Sequence, residues 1–311
     1  MRLAAMLKER KDLFAIMAIV LVTSVFPVDL LTSAPPDRPG SDGQLSGKQG
    51  QVLVVKVPVL DRTTSVVGRF LNRRVPFFKN DASSLTNEYV GLIGIDLQDA
   101  PGTHELVVDV TTPNEPRRLS YNVLVIKEKY PVQRLTLPKD KVDLDEESVT
   151  RVKSEQEQVK IALEKSADER FWSGNFIQPV QGPTTGAFGR LRVINGQSRN
   201  PHNGEDIAAP LGADVLAMND GVVSLTVDHF FSGKGVFLDH GLGLQSMYFH
   251  LSEVTVQDGE SVKRGQVIGK VGASGRASGP HLHWGVRLNG ARVDPLALIK
   301  LSFARLPVAT Q

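Results

Sequence analysis

The chain contains no cysteine. That excludes disulfides, thiolate metal sites, a cysteine nucleophile and a lipidated N-terminal cysteine. Any metal must therefore be held by histidine, aspartate or glutamate. Net charge is also nearly absent: 36 Lys+Arg against 34 Asp+Glu leave +2 over 311 residues. Nucleic acid binding shows as a basic stripe or a strong positive balance, and no such partner is expected here. Histidine is scarce, with seven residues, five of them after position 228. The rest is ordinary for a globular protein, 41% hydrophobic and 23% charged, which argues against wholesale disorder. At about 150 residues per domain, the length suggests two domains.

Residues 1–11 carry Arg2, Lys8, Arg10 and Lys11 against the single acid Glu9, and residues 13–26 are apolar except for Thr23 and Ser24. Such a run is short for a membrane span and suits the core of an export signal. Extended through Leu30 and Leu31, it could serve as a tilted anchor. No Ala-x-Ala cleavage site is present, and Pro35 follows Ala34. Residues 1–32 are thus expected to be a signal peptide or signal-anchor, and residues 33–50 a Pro/Gly/Ser/Asp-rich linker. The positive flank keeps the N-terminus cytoplasmic and sends the remainder across. The expected location is the cell envelope, periplasmic or secreted, with membrane contact through the N-terminal segment if it is retained.

The expected fold is mainly β. Residues 52–59, 69–75, 89–97, 105–110 and 119–126 are β-rich runs separated by turn residues. Short strands at this spacing predict an Ig-like β-sandwich over 51–128. His104 lies beside a turn there and reads as a solvated surface residue. Residues 129–170 form a linker with Pro131 and Pro138, followed by a helix over 145–170 capped by Asp143 or Asp145. Val149, Val152, Val159 and Leu163 make a short apolar stripe on that helix, and the charged remainder is a solvated face.

Residues 171–311 change in character. Glycine becomes frequent and short β runs alternate with turns, at 215–217, 221–227, 236–238, 245–249, 267–271 and 284–288. Residues 254–271 read as two short hairpins, turning at Asp258-Gly259 and at Lys263-Arg264-Gly265. The prediction is a Gly-rich antiparallel β domain whose groove suits an extended ligand. His229 and His240 match no chemistry, and read as a surface residue and a turn residue.

Two close pairs stand out. His202-Asn-Gly-Glu-Asp206 places a histidine and an aspartate four apart, with Gly204 allowing a tight bend. His281-Leu282-His283 places two imidazoles on one face of a strand. Two histidines and one aspartate make a three-ligand set with one coordination position left open, the pattern of a catalytic zinc. His250 is a further candidate. From the residues alone, which histidine of the 281/283 pair binds metal stays open.

His202-Asn-Gly-Glu-Asp206-Ile-Ala-Ala-Pro, Tyr248-Phe-His250-Leu-Ser and Ser278-Gly-Pro-His281-Leu-His283-Trp resemble the motifs of the lysostaphin/LytM-type zinc metallopeptidases. Phe188-Gly189, Gly265-Gln-Val-Ile-Gly269 and Val293-Asp-Pro295 resemble the family's framing segments. The resemblance spans about residues 182–298. It implies one zinc per chain held by His202, Asp206 and His283, with His250 and His281 as the catalytic pair. Glu205, beside Asp206, alternates to the other side. Arg190-Leu-Arg192 varies the usual basic pattern after Phe-Gly. The family can also place a protein side chain in the open coordination position, and residues 171–182 are the nearest segment for that role.

The resemblance implies a zinc endopeptidase acting on the peptides of bacterial peptidoglycan, with a possible envelope protein partner for the β domain. A second reading is a catalytically silent activator or scaffold of other cell-wall hydrolases. The presence of all five expected positions argues against it. A third, a biotinyl/lipoyl-type carrier, is suggested by residues 262–269. It fails because Lys263 lacks the flanking Met or acids such carriers use.

Overall fold

The computed structural model describes residues 45–59, 63–80, 87–113, 116–136 and 145–303. The expected signal or anchor segment lies outside them. Among the described residues, no helix is long and apolar enough to cross a membrane.

Strands β1 (Leu45–Lys48), β2 (Val52–Pro58), β3 (Ser65–Phe70), β4 (Arg73–Lys79), β5 (Glu88–Gly94), β6 (Gly102–Thr111) and β7 (Arg117–Ile126) form a first sheet. Its order is β1-β7-β6-β3-β4-β5-β2. The pairing is antiparallel apart from β1, which runs parallel to β7. β1 and β2 lie at opposite ends of that order, yet only three residues separate them, so the sheet must curl until its two ends meet. β4 makes the change of layer, pairing with β3 up to Pro76 and with β5 from Phe77 onward. Burial alternates along β6, where Leu106, Val108 and Val110 point inward beside Val57, Phe70, Ile95 and Val123. That period of two with β-branched residues inside is what a half-buried strand requires.

The run 69–75 is two strands rather than one. Leu71 and Asn72 take φ of +47° and +63°, and the chain reverses there. β1 lies in the stretch expected to be linker. β8 (Val132–Leu135) also falls in expected linker, and it pairs in parallel with β10 (Leu191–Ile194).

Helix α1 (Glu146–Glu164) starts where Asp145 accepts a hydrogen bond from the Ser148 N–H at 2.7 Å. It ends six residues before the expected boundary. The Gln245 side-chain amide donates to the Ala162 and Lys165 carbonyls, and Asp239 draws away Ser166 and the Ala167 N–H. Of the apolar stripe only Val152 is fully buried; Val149, Val159 and Leu163 are half-buried.

The second sheet contains β9 (Thr184–Gly186), β12 (Gly204–Ala208), β13 (Asp214–Leu216), β14 (Gly221–His229), β15 (Gly233–Gly241), β16 (Leu244–Val254), β17 (Ser261–Val262), β18 (Val267–Val271), β19 (His281–Leu288) and β20 (Ala291–Val293). The main order is β17-β14-β15-β16-β19-β12-β9. β11 (Gln197–Ser198) pairs with β10, and α2 (Pro295–Ile299) follows β20. Both turns expected within 254–271 form, but their strands pair elsewhere. β17 joins β14, while β18 joins β13 and β16.

His229, expected at the surface, and His240, expected in a turn, are both buried, and His240 lies within β15. α1 covers His229, whose Nε2 lies 3.4 Å from the Gln158 side-chain oxygen. His240 is fully enclosed between the Asp220 carbonyl (2.7 Å) and the Ser246 hydroxyl (2.8 Å). Burial pushes its pKa down to about 4.

The two sheets share a core. Val52 and Leu92 of the first pack with Leu244, Leu288, Ala291 and Val293 of the second. Arg292 clasps Asp96 through three hydrogen bonds of 2.6–3.0 Å. Burial would raise the Asp96 carboxyl, but the Arg292 hydrogen bonds outweigh it and hold the group below its ordinary range.

Candidate metal centre

β12 and β19 run antiparallel with Asp206 directly opposite His283. Opposed residues put their side chains on the same face of a sheet, about 5 Å apart at Cβ. His202 reaches the same point from the segment just before β12. Gly204, expected at a bend, is instead the first residue of β12, and it leaves room for β19, since a Cβ there would lie 2.5 Å from the Trp284 carbonyl and 2.8 Å from His283 Nε2. Gly186 on β9 leaves room for the carboxylate, because a Cβ there would sit 2.1 Å from Asp206 Oδ2.

Three atoms converge as a result. His202 Nε2 and Asp206 Oδ1 are 3.0 Å apart, His283 Nδ1 and Asp206 Oδ1 2.8 Å, and the two ring nitrogens 3.0 Å. Among the described residues these three side chains are the group able to hold a metal ion. His202 Nδ1 lies 3.1 Å from the Ala187 carbonyl, which can only accept. The ring proton is therefore on Nδ1, and Nε2 presents a lone pair to the cluster. Lone pairs aimed at one point beside a carboxylate call for a cation. Zinc bonds of about 2.0–2.1 Å in a tetrahedron put ligand atoms about 3.3 Å apart. The cluster needs to open by only a few tenths of an ångström. The donor set fits zinc.

Burial would raise the Asp206 carboxyl, but the imidazoles of His202 and His283 beside it hold it well below the usual range. Burial lowers the pKa of His283, so its ring is neutral and able to ligate. Glu205 points away from the cluster and accepts the Phe188 N–H at 2.8 Å. Burial raises its pKa.

His250 and His281 stand beside the cluster, their ring centroids 4.7 Å apart. His281 Nε2 is 3.9 Å from Asp206 Oδ1. Each has its Nδ1 against a carbonyl at 2.8 Å, Ser274 for His250 and Gly279 for His281. Both protons are thereby fixed on Nδ1, and both Nε2 atoms are left free to accept. Burial pushes the His250 pKa down to about 4.

Strand alternation predicts that Tyr248 and His250 share a face, and here the structure differs. Tyr248 is buried in the core, its hydroxyl accepting the Met218 N–H at 3.0 Å. Phe249 instead faces the site and stacks on His283 at 5.8 Å. β16 carries an extra residue against β15 between Tyr248 and Leu251, and His250 takes φ +63°. The bulge swings the histidine round to the site. The segment 171–182 lies in the core through Trp172, Phe176 and Val180, and its Asn175 and Gln178 side chains bond to Phe303 and Val180.

The site's supporting carbonyls, Ala187, Ser274 and Gly279, have no signature in sequence because any residue supplies them. Phe188-Gly189, one of the segments that resemble the family's framing, directly follows Ala187.

Comparison with known proteins adds four findings. The sequence model of peptidase family M23 matches residues 200–295. Peptidoglycan DD-endopeptidase ShyA of Vibrio cholerae is 40% identical over 110 residues, 35% of this chain and 24% of that protein. DD-carboxypeptidase/endopeptidase Mpg of Neisseria meningitidis is 41% identical over 97 residues, 31% of this chain and 22% of that one. This chain thus spans about a quarter of the length of those relatives. The crystal structure of a peptidase M23 from Pseudomonas aeruginosa aligns with a TM-score of 0.62 and 31% identity, covering 79% of this chain and 92% of that one.

Proposed function

The chain belongs to peptidase family M23, and from that premise we propose that it is a zinc-dependent endopeptidase that hydrolyses peptide bonds of bacterial peptidoglycan. The observation that carries this reading is the convergence of His202 Nε2, Asp206 Oδ1 and His283 Nδ1, with two further imidazoles at its side. His202, Asp206 and His283 would hold the metal. Zinc, when bound, supplies Lewis acidity toward the scissile carbonyl and lowers the pKa of water toward neutrality.

The protein's own part in the chemistry falls to His250 and His281. With the Nδ1 protons fixed on the Ser274 and Gly279 carbonyls, each Nε2 can take a proton from the attacking water. Once protonated, it can donate to the oxyanion or to the departing amine. His250, whose pKa burial depresses, is neutral at physiological pH and enters as an acceptor. Phe249 fixes the plane of the His283 ring by stacking.

We also place the domains beyond residue 50 in the cell envelope, on the strength of the basic N-terminus and the apolar run after it. An envelope protein remains the partner class proposed for the β domain.

The test is a pair of variants. His250→Ala and His281→Ala should keep their metal and fold but lose cleavage by roughly 10²-fold or more. The double variant should lose less than the product, since both residues act on one transition state. Near wild-type cleavage by both metal-loaded variants would overturn the mechanism. A wild-type protein that binds zinc and cleaves nothing would favour the non-hydrolytic activator role.

A further inference from the structure

We propose that Glu155, on the connecting helix α1, is a positioning residue for His250, acting through the tip of the β14–β15 hairpin. The proposal rests on the role given to His250 above.

Both carboxylate oxygens of Glu155 lie 3.0 Å from the Phe230 backbone N–H, at the hairpin tip. Arg151, one turn earlier on α1, donates to Glu155 at 2.7 Å and to the Asp228 carbonyl at 3.0 Å. Its guanidinium also lies 5.8 Å from the centre of the Phe230 ring. Gln158, one turn later, meets His229. Three successive turns of one helix face thus hold residues 228–230. Apolar packing does not explain the docking, because Val152 is the helix's sole fully buried residue. The Glu155 side chain, by contrast, is only 12% exposed.

The same tip fixes His250 twice. The Ser232 carbonyl accepts the His250 backbone N–H at 2.9 Å. The Ser274 carbonyl accepts the ring Nδ1–H at 2.8 Å, and the Ser274 hydroxyl is tied to the tip by the Lys234 N–H at 2.9 Å. Arg276 closes the circuit, donating its N–H to the Phe231 carbonyl at 2.8 Å with its guanidinium 4.2 Å from the Phe231 ring centre. His250 sits at φ +63°, a conformation that persists only where the surroundings over-determine it. Glu155 supplies the far end of that restraint.

The experiment uses the full-length, zinc-loaded protein and cross-linked peptidoglycan fragments. E155A should keep its zinc and its KM and lose kcat by on the order of tenfold to a hundredfold, the effect of a small misplacement of a reacting group. The ring ¹⁵N resonances of His250 should move in E155A while those of His240 stay. E155Q retains an acceptor for the Phe230 N–H and should recover most of the loss. E155D, the milder variant should E155A not fold, should show the same split to a smaller degree. Wild-type kcat with an unmoved His250 signal in E155A, or in E155D where E155A does not fold, overturns the proposal, as does a loss of kcat that follows loss of zinc. H250A is run alongside. If it still cleaves, the role of His250 has failed. If it is silent while E155A and E155D behave as wild type, the brace alone has failed. The His250 resonance reads the brace even where no cleavage is seen.

Discussion

His250→Gly should be more stable than His250→Ala, while both lose cleavage. The reasoning starts from φ +63° at this position. A residue with a Cβ pays about 1–2 kcal/mol in the left-handed region. Glycine does not, but its unfolded chain is more disordered by about 0.4–1 kcal/mol relative to alanine. Both variants equally lose the Ser274 hydrogen bond and the contact with His281, so those terms cancel in the comparison. The difference should favour glycine by about 0.5–1 kcal/mol, on the order of 2 °C in melting temperature for a chain of this size. The assay is thermal unfolding of the two zinc-loaded variants followed by circular dichroism, with peptidoglycan cleavage measured on the same samples. An alanine variant as stable as the glycine variant would refute the claim that β16 holds His250 under strain. Near wild-type cleavage by either variant would refute the catalytic role given to His250.

Other outcomes follow from the same geometry. Alanine at His202, Asp206 or His283 should each remove most of the bound zinc and the activity together, read by elemental analysis after dialysis. Gly204→Ala, whose methyl would lie 2.5 Å from the Trp284 carbonyl, should cost roughly 1–3 kcal/mol and weaken zinc binding, read by denaturant unfolding and chelator competition. Asp96→Asn should destabilise the protein by about 1.5–3 kcal/mol at neutral pH by breaking the Arg292 clasp between the sheets. Because the folded Asp96 pKa is depressed below 3.8, that stabilisation is fully present above pH 4 and fades as pH falls through the folded value. Unfolding curves of wild type and variant should therefore converge in acid; a gap that widens there would contradict the assignment.

Much of the site was legible because its information is local. The i, i+4 spacing of His202 and Asp206 and the i, i+2 spacing of His281 and His283 each keep two groups close without reference to the rest of the chain, although Gly204 opens β12 and does not form the expected bend. The facing of Asp206 and His283 depends on β12–β19 register, which spacing alone does not give. Where the reading failed, tertiary context prevailed. Leu71 carries no turn signal, yet φ +47° there divides an apparent strand into a hairpin. The bulge at His250 breaks the alternation that would have paired it with Tyr248. His229 and His240 look like loop residues until α1 and the Asp220 carbonyl cover them. The early end of α1 is set by Asp239 and Gln245, 72 and 80 residues away in sequence.

The central claim is tested most directly by incubating the purified protein with intact peptidoglycan and identifying the new peptide ends by mass spectrometry, before and after chelation and after return of one equivalent of zinc. The account predicts new amine and carboxyl ends within the peptide moiety, their disappearance on chelation, and full recovery at one zinc per chain. New ends that persist in the stripped protein, or none at all with zinc bound, would contradict it.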